Sequence, residues 1–181
     1  MKVTSTPNRF YRSFLFGVIL LAGCAVPRHF LPQKDIIGSD IYRIPGQDTV
    51  LIASRGTEYK KQLVAKLQQQ LSDAKISHIT IGIKQLDKVE STDYAVVVVI
   101  STCLAWGLDH EVRTFLDKQI TTSNIILLTT SGKGSWLPDK RKYECDAISG
   151  ASVKANIVET ARTLTEKIEE RLSHFPHSMK R

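Results

Sequence analysis

No long run of basic residues interleaved with aromatics occurs in the 181 residues, which excludes the electrostatic footprint of a nucleic-acid binder. The five histidines and three cysteines lack the spacings a metal site needs. No internal repeat is apparent, so a solenoid is excluded. The positive charge is also smaller than the formal +7 suggests. Lys2, Arg9 and Arg12 lie in a segment expected to be cleaved; without them 22 basic residues face 18 acidic ones, a balance of +4. A mildly basic face of that size suits the neighbourhood of anionic lipid.

The apolar run at the amino end, residues 13–23, is too short to span a bilayer comfortably. Three basic residues and no acid precede it, as in a secretory signal. The run closes on Leu21-Ala22-Gly23-Cys24, which resembles the bacterial lipobox. That resemblance implies cleavage before Cys24, a diacylglycerol on its thiol and a fatty acyl chain such as palmitate on its amine. Several chains together anchor a protein stably where one does not. Ala25, where an acidic residue would retain a lipoprotein at the inner membrane, implies the outer membrane, with the protein facing the periplasm. Residues 24–48 carry Pro27, Pro32, Pro45 and Gly46 and little apolar content, and read as a lipidated tether that docks in places.

The rest is organised around Tyr94–Ile100, a continuous β-branched run with no alternation of inside and outside. Such a strand is covered on both faces, as in the middle of a parallel sheet. Strands are expected at 50–53, 78–84, 94–100, 124–128 and 143–148, and helices at 57–72, from Asp109, and at 157–172. Leu63, Leu67 and Leu71 make the apolar stripe of the first helix; Ile157, Ala161, Leu164, Ile168 and Leu172 make that of the last. Residues 84–93 have room for one helical turn at most, and Ser149-Gly150-Ala151-Ser152 reads as a turn and cap. Residues 174–181 are expected to be a flexible tail. Right-handed crossovers then give a doubly wound, parallel, five-stranded sheet in the order 2-1-3-4-5, spanning 49–173 and missing the helix between strands four and five.

In open sheets of this kind ligands sit beyond the carboxyl ends of the strands. There stand Ser54-Arg55-Gly56-Thr57, Trp106 and Thr130-Ser131-Gly132, and through these the chain resembles the flavodoxin-like family. Ser54-Arg55-Gly56-Thr57 is similar to the family's phosphate loop, in which N–H groups at a helix start hold the FMN phosphate. The loop holding Thr102, Cys103 and Trp106 corresponds to the one that stacks on the isoalloxazine, and Thr130, Ser131 and Gly132 to the one lining its other edge. The segment 146–152 is also similar to small flavodoxin-like proteins of unassigned role. The phosphate loop is one residue shorter than the family's, and Arg55 is the residue expected to offset this with a bidentate fork.

Competing motifs fail on single residues. A response-regulator receiver needs carboxylates where this chain has Ser54 and Ser101-Thr102. Gly132-Lys133-Gly134-Ser135 lacks the preceding glycine of a nucleotide loop and opens no helix. Asp109-His110-Glu111 reads as a solvated helix start, and His78 as a surface residue on an edge strand. Trp106 and Trp136 fit either a stacking surface for a planar ligand or a roof over the sheet. Cys103 and Cys145, two strands apart, are expected to form no disulfide. No catalytic set emerges. Two functions fit: an interaction or assembly module on a degenerate flavodoxin-like domain, with an envelope protein as partner, or an FMN-binding redox protein. The shortened loop favours the first.

Overall fold

A computed structural model describes residues 33–37, 41–104, 107–139 and 141–174. The signal segment and Cys24 lie outside the described residues, as do Trp106 and residues 175–181.

Six strands form one mixed sheet: β1 (Ile41–Tyr42), β2 (Val50–Ser54), β3 (His78–Gly82), β4 (Val96–Thr102), β5 (Ile125–Ser131) and β6 (Asp146–Ala151), in the order β1-β3-β2-β4-β5-β6. The five parallel strands stand in the expected order. The count of five is corrected by β1, which pairs antiparallel to β3 in the register Ile41 with Ile79 and Tyr42 with His78. This strand comes from the stretch read as tether. It converts β3 from an edge strand into an interior one, and His78 is accordingly 2% exposed rather than on the surface. The Tyr42 ring stacks on the imidazole, centroids 5.4 Å apart.

The β-branched run of β4 behaves as its composition requires. Val96 to Ile100 are wholly buried, the even positions toward one layer and the odd positions toward the other. The first layer is α1 (Glu58–Asp73) with α3 (Ile157–His174), whose leucine and isoleucine stripes close over Val50, Ile52, Val98, Ile126 and Leu128. Helix α1 ends as Ile76 and Lys75 N–H groups bond back to Leu71 and Ser72 carbonyls, with Lys75 at φ 56°. The second layer holds α2 (His110–Lys118), with Val112, Phe115 and Leu116 on Leu51, Val97, Val99 and Leu127.

Between β5 and β6 no helix occurs among the described residues. Tyr143, Cys145 and Trp136 cover that part of the second layer instead. The Tyr143 hydroxyl donates to Asp117 on α2 at 2.8 Å, so this ring fills space a helix would take. For the same reason β6 begins at Asp146, not at Tyr143, and runs through the Ser149–Ala151 stretch expected as a turn. Likewise β5 extends to Ser131, past the expected end at Leu128. Residues 83–93 form two short 3-10 segments, Ile83–Lys88 and Ser91–Asp93, in place of a single turn. No disulfide joins Cys103 to Cys145.

Candidate functional site

Strand β2 brings Ser54 and Arg55 to the carboxyl end of the sheet, and Thr57 caps α1 directly after, its hydroxyl accepting the Lys60 N–H at 3.4 Å. Ser54 Oγ donates to the Arg55 carbonyl at 2.9 Å. Arg55 is wholly buried, and its guanidinium makes four charge-assisted hydrogen bonds. Nε and Nη2 grip both oxygens of Asp109 at 2.9 and 2.7 Å, Nη2 also reaches Glu111 at 2.8 Å, and Nη1 reaches Asp35 at 2.6 Å. Burial alone would push the Asp109 carboxyl up, but the hydrogen bonds and charge of Arg55 win and hold it below the usual carboxylate range. Burial works against the charged form of Arg55 as well, and the carboxylates of Asp109 and Asp35 more than reverse it.

Asp109 and Glu111 are therefore not a solvated helix start. Asp109 is 1% exposed and caps α2 while neutralising Arg55. The Arg55 fork, expected to offset the short phosphate loop, is occupied here by carboxylates.

The second surprise is what lies over the turn. Residues Gln33–Ile37 cross it in extended form, with Asp35 bridged antiparallel to Arg55. The Gly56 N–H donates to the Lys34 carbonyl at 2.7 Å, and the Ile36 N–H to the Ser54 carbonyl at 3.3 Å. The Asp35 carboxylate accepts a further bond from the Lys84 N–H at 2.9 Å. Two glycines shape the cradle. A Cβ at Gly56 would stand 2.5 Å from the Asp35 carbonyl oxygen, and one at Gly82 would stand 2.7 Å from its carboxylate. Gly56 thus accommodates this strap.

At the start of the strap Lys60, 1% exposed, turns its ammonium to Gln33 Oε1 at 2.9 Å and to the Thr102 hydroxyl. Thr102 itself donates to the same Gln33 oxygen at 2.8 Å. Burial pulls the Lys60 pKa down to about 8; the nearby Arg55 adds to this and Asp109 opposes it.

The remaining expected residues are scattered. Thr130 is wholly buried inside β5, its hydroxyl spent on the Ser101 carbonyl at 3.0 Å. Ser131 Oγ accepts the Gly134 N–H at 2.9 Å, and Gly132 is exposed with open space beside it. The Cys103 N–H donates to the Thr130 carbonyl at 2.9 Å. Trp136 packs on the second layer, as a roof. Of the ten expected positions, Ser54, Arg55, Gly56, Thr57 and Thr102 are brought together around the strap, while Thr130, Ser131 and Gly132 do not face it.

Reasoning from sequence missed Gln33, Asp35, Lys60, Gly82 and the roles of Asp109 and Glu111. Only Lys60 left a trace: it lies three residues before Leu63, where the apolar stripe begins.

Two surface depressions lined by described residues lie away from this turn, and both are open. One of about 460 Å³ lies at the amino ends of the strands by Gln47, Lys75 and Leu172; the other, about 380 Å³, lies beside β6 by Ser149, Asn156 and Thr163.

The sequence matches no protein-family model and no curated protein. Among solved structures it is similar to a flavodoxin from the domain Archaea, with 13% identity, a TM-score of 0.50, and coverage of 70% of this chain and 99% of that one. A flavodoxin of Streptococcus pneumonia TIGR4 aligns at 9% identity and TM-score 0.48, over 68% of this chain and 98% of that one. A short-chain flavodoxin associated with a non-canonical PDU bacterial microcompartment aligns at 12% and 0.48, over 67% and 99%. The domain has a flavodoxin-like α/β fold. Identity this low speaks to the fold alone.

Proposed function

We propose that this chain is a lipid-anchored lipoprotein of the bacterial envelope whose flavodoxin-like domain is an interaction or assembly module and not an FMN carrier. One observation carries the reading: the Gly56 N–H and the Arg55 guanidinium, the donors of this turn that would greet a phosphate, already have partners within the chain. The Gly56 N–H holds Lys34, and Arg55 is surrounded by Asp35, Asp109 and Glu111. An FMN phosphate brought there would face three carboxylates and the strap's backbone, so the residues present do not fit the group. Losing two charge-assisted bonds of about 1.5–3 kcal/mol each weakens binding by about two orders of magnitude or more.

The anchor is supported by Leu21-Ala22-Gly23-Cys24 at the end of a short apolar run. Nine residue steps separate Cys24 from Gln33, a reach of at most about 32 Å, so an acylated Cys24 would keep the strap end of the domain near the lipid surface. Ala25 supports the outer membrane as the address.

FMN titration followed by flavin fluorescence tests the central point. The protein is expected to purify colourless and to give no saturable quenching; a yellow preparation with stoichiometric FMN would hand the assignment to the redox reading. Cys24→Ser tests the anchor: the variant should leave the membrane fraction or stall as precursor, and a processed variant that still floats with membranes refutes lipidation.

A further inference from the structure

The strap over the phosphate turn is held in the manner of a bound peptide. Its backbone exchanges two hydrogen bonds with Ser54 and Gly56, its carboxylate enters a cradle cut by two glycines, and its amide side chain bridges a buried ammonium and a hydroxyl. Main-chain bonds to an extended segment, with pockets for alternate side chains, are how sheet-edge peptide sites work. Gln33 and Asp35 are two residues apart and both engaged, whereas Lys34 between them is exposed.

The strap is held by polar contacts and buries little apolar surface. Ile36 is its one apolar residue packed against the core, and Ile37 is 94% exposed. If the strap lifts, Arg55 keeps three of its four bonds, because Asp109 and Glu111 belong to α2. The groove therefore survives the departure of its occupant. Elements with few buried apolar contacts open locally at low cost.

We propose that this groove is a peptide-binding site, closed at rest by Gln33–Ile37, whose outside ligand is an extended segment of a partner protein carrying an amide side chain two residues before a carboxylate. The carboxylate would take the place of Asp35 on Arg55 and the Lys84 N–H, and the amide that of Gln33 on Lys60 and Thr102. A strap lent by a second copy fits less well. Only four residue steps join Ile37 to Ile41 of β1, a span of about 14 Å, so exchange between copies would also strip β1 from β3. The proposal rests on the interaction-module reading, and supplies the chemistry of the partner.

The test is fluorescence anisotropy with a labelled, end-blocked peptide of residues 33–37, on the full mature-length chain. In wild type the tethered strap competes at an effective concentration in the millimolar range. Gln33→Ala with Asp35→Ala weakens the strap and leaves the groove intact, so it should bind the peptide at least about tenfold more tightly than wild type. A peptide with asparagine in place of its aspartate should lose about tenfold or more. Gly82→Ala, whose backbone at φ −75° and ψ 151° accepts alanine, fills the carboxylate cradle and should bind no peptide.

Equal binding by wild type and the double variant, or none by either at millimolar peptide, overturns the proposal. So does a dimer in sedimentation that dissociates on adding peptide, which would assign the groove to a second copy. Hydrogen exchange on wild type covers the case of a variant that fails to fold. The Ile36 and Gly56 amides should exchange at least about a hundredfold faster than those of Ile52 and Val98, and equal protection refutes a releasable strap. Flavin titration reads a separate signal. A colourless protein that binds no peptide loses the groove and keeps the module; a yellow one loses the module reading itself.

Discussion

Two polar regions lie at the same height of the sheet, on the same face, and the protein treats them in opposite ways. At the β2 end, Arg55 is buried with three carboxylates and every contact is made. Along β4, β5 and β6, in register, stand Ser101, Thr129 and Ser149, and none of their hydroxyls has a hydrogen-bond partner among the described residues. The difference follows from charge. An ion left unpaired in the interior costs several kcal/mol, whereas an unpaired hydroxyl costs about 1–3 kcal/mol, which a fold can carry. The Arg55–Asp109 pair of the first region is thus obligatory structure, and the second region is where substitutions have slack.

The comparison breaks most visibly at Arg55. Arg55→Ala leaves Asp109, 1% exposed, without its counter-ion beside two further carboxylates. Removing one partner from a buried pair typically costs about 3–5 kcal/mol, and urea unfolding should show a loss of that size. A loss below about 1 kcal/mol would mean that the cluster is not holding the β2 end together.

A second test uses pH. Lys60 is protonated up to about pH 8 in the folded chain and ordinarily up to 10.5, so between those values the unfolded chain binds the extra proton. Stability should therefore rise with pH across that window, by at most about 1.4 kcal/mol per pH unit. Tyr143 and Cys145 also titrate on the alkaline side, both raised chiefly by burial, so the slope is read as the difference from Lys60→Met. No difference between the two profiles would show that Lys60 is not desolvated under Gln33.

The same contrast explains what could be read from the sequence. The β-branched run of β4, the leucine stripe of α1 and the missing helix before β6 announce themselves by composition and period, and with right-handed crossovers they determine the order of the parallel strands. The charged cluster has no period. Asp35, Arg55 and Asp109 are joined across separations of 20 and 54 residues, and each carboxylate taken alone looks like an ordinary solvated one. Two residues of β1 in a proline-rich stretch are too short to signal a strand, so the burial of His78 was hidden with them. Arg55 stands out in the sequence as a fork for an anion, and the anions it meets within this chain are carboxylates. A carboxylate and a phosphate ask the same fork of an arginine, and sequence alone does not say which arrives.

The smallest effect belongs to the hydroxyl row, and its sign is the informative part. Thr129 and Thr130 are neighbours in β5, both wholly buried, on opposite faces. Thr130 donates to the Ser101 carbonyl at 3.0 Å, while the Thr129 hydroxyl has no partner among the described residues. Valine replaces a hydroxyl by a methyl at nearly constant shape. At position 130 the change discards a made bond and leaves a carbonyl less well satisfied, so Thr130→Val should destabilise by about 1 kcal/mol. At position 129 it removes a desolvated polar group that gains nothing from folding, so Thr129→Val should be neutral or stabilise by up to about 1 kcal/mol. Paired urea titrations measure the two against the same wild type. If both variants lose stability equally, the Thr129 hydroxyl is bonded in solution, and the contrast between a saturated β2 end and an unsaturated row fails at that residue.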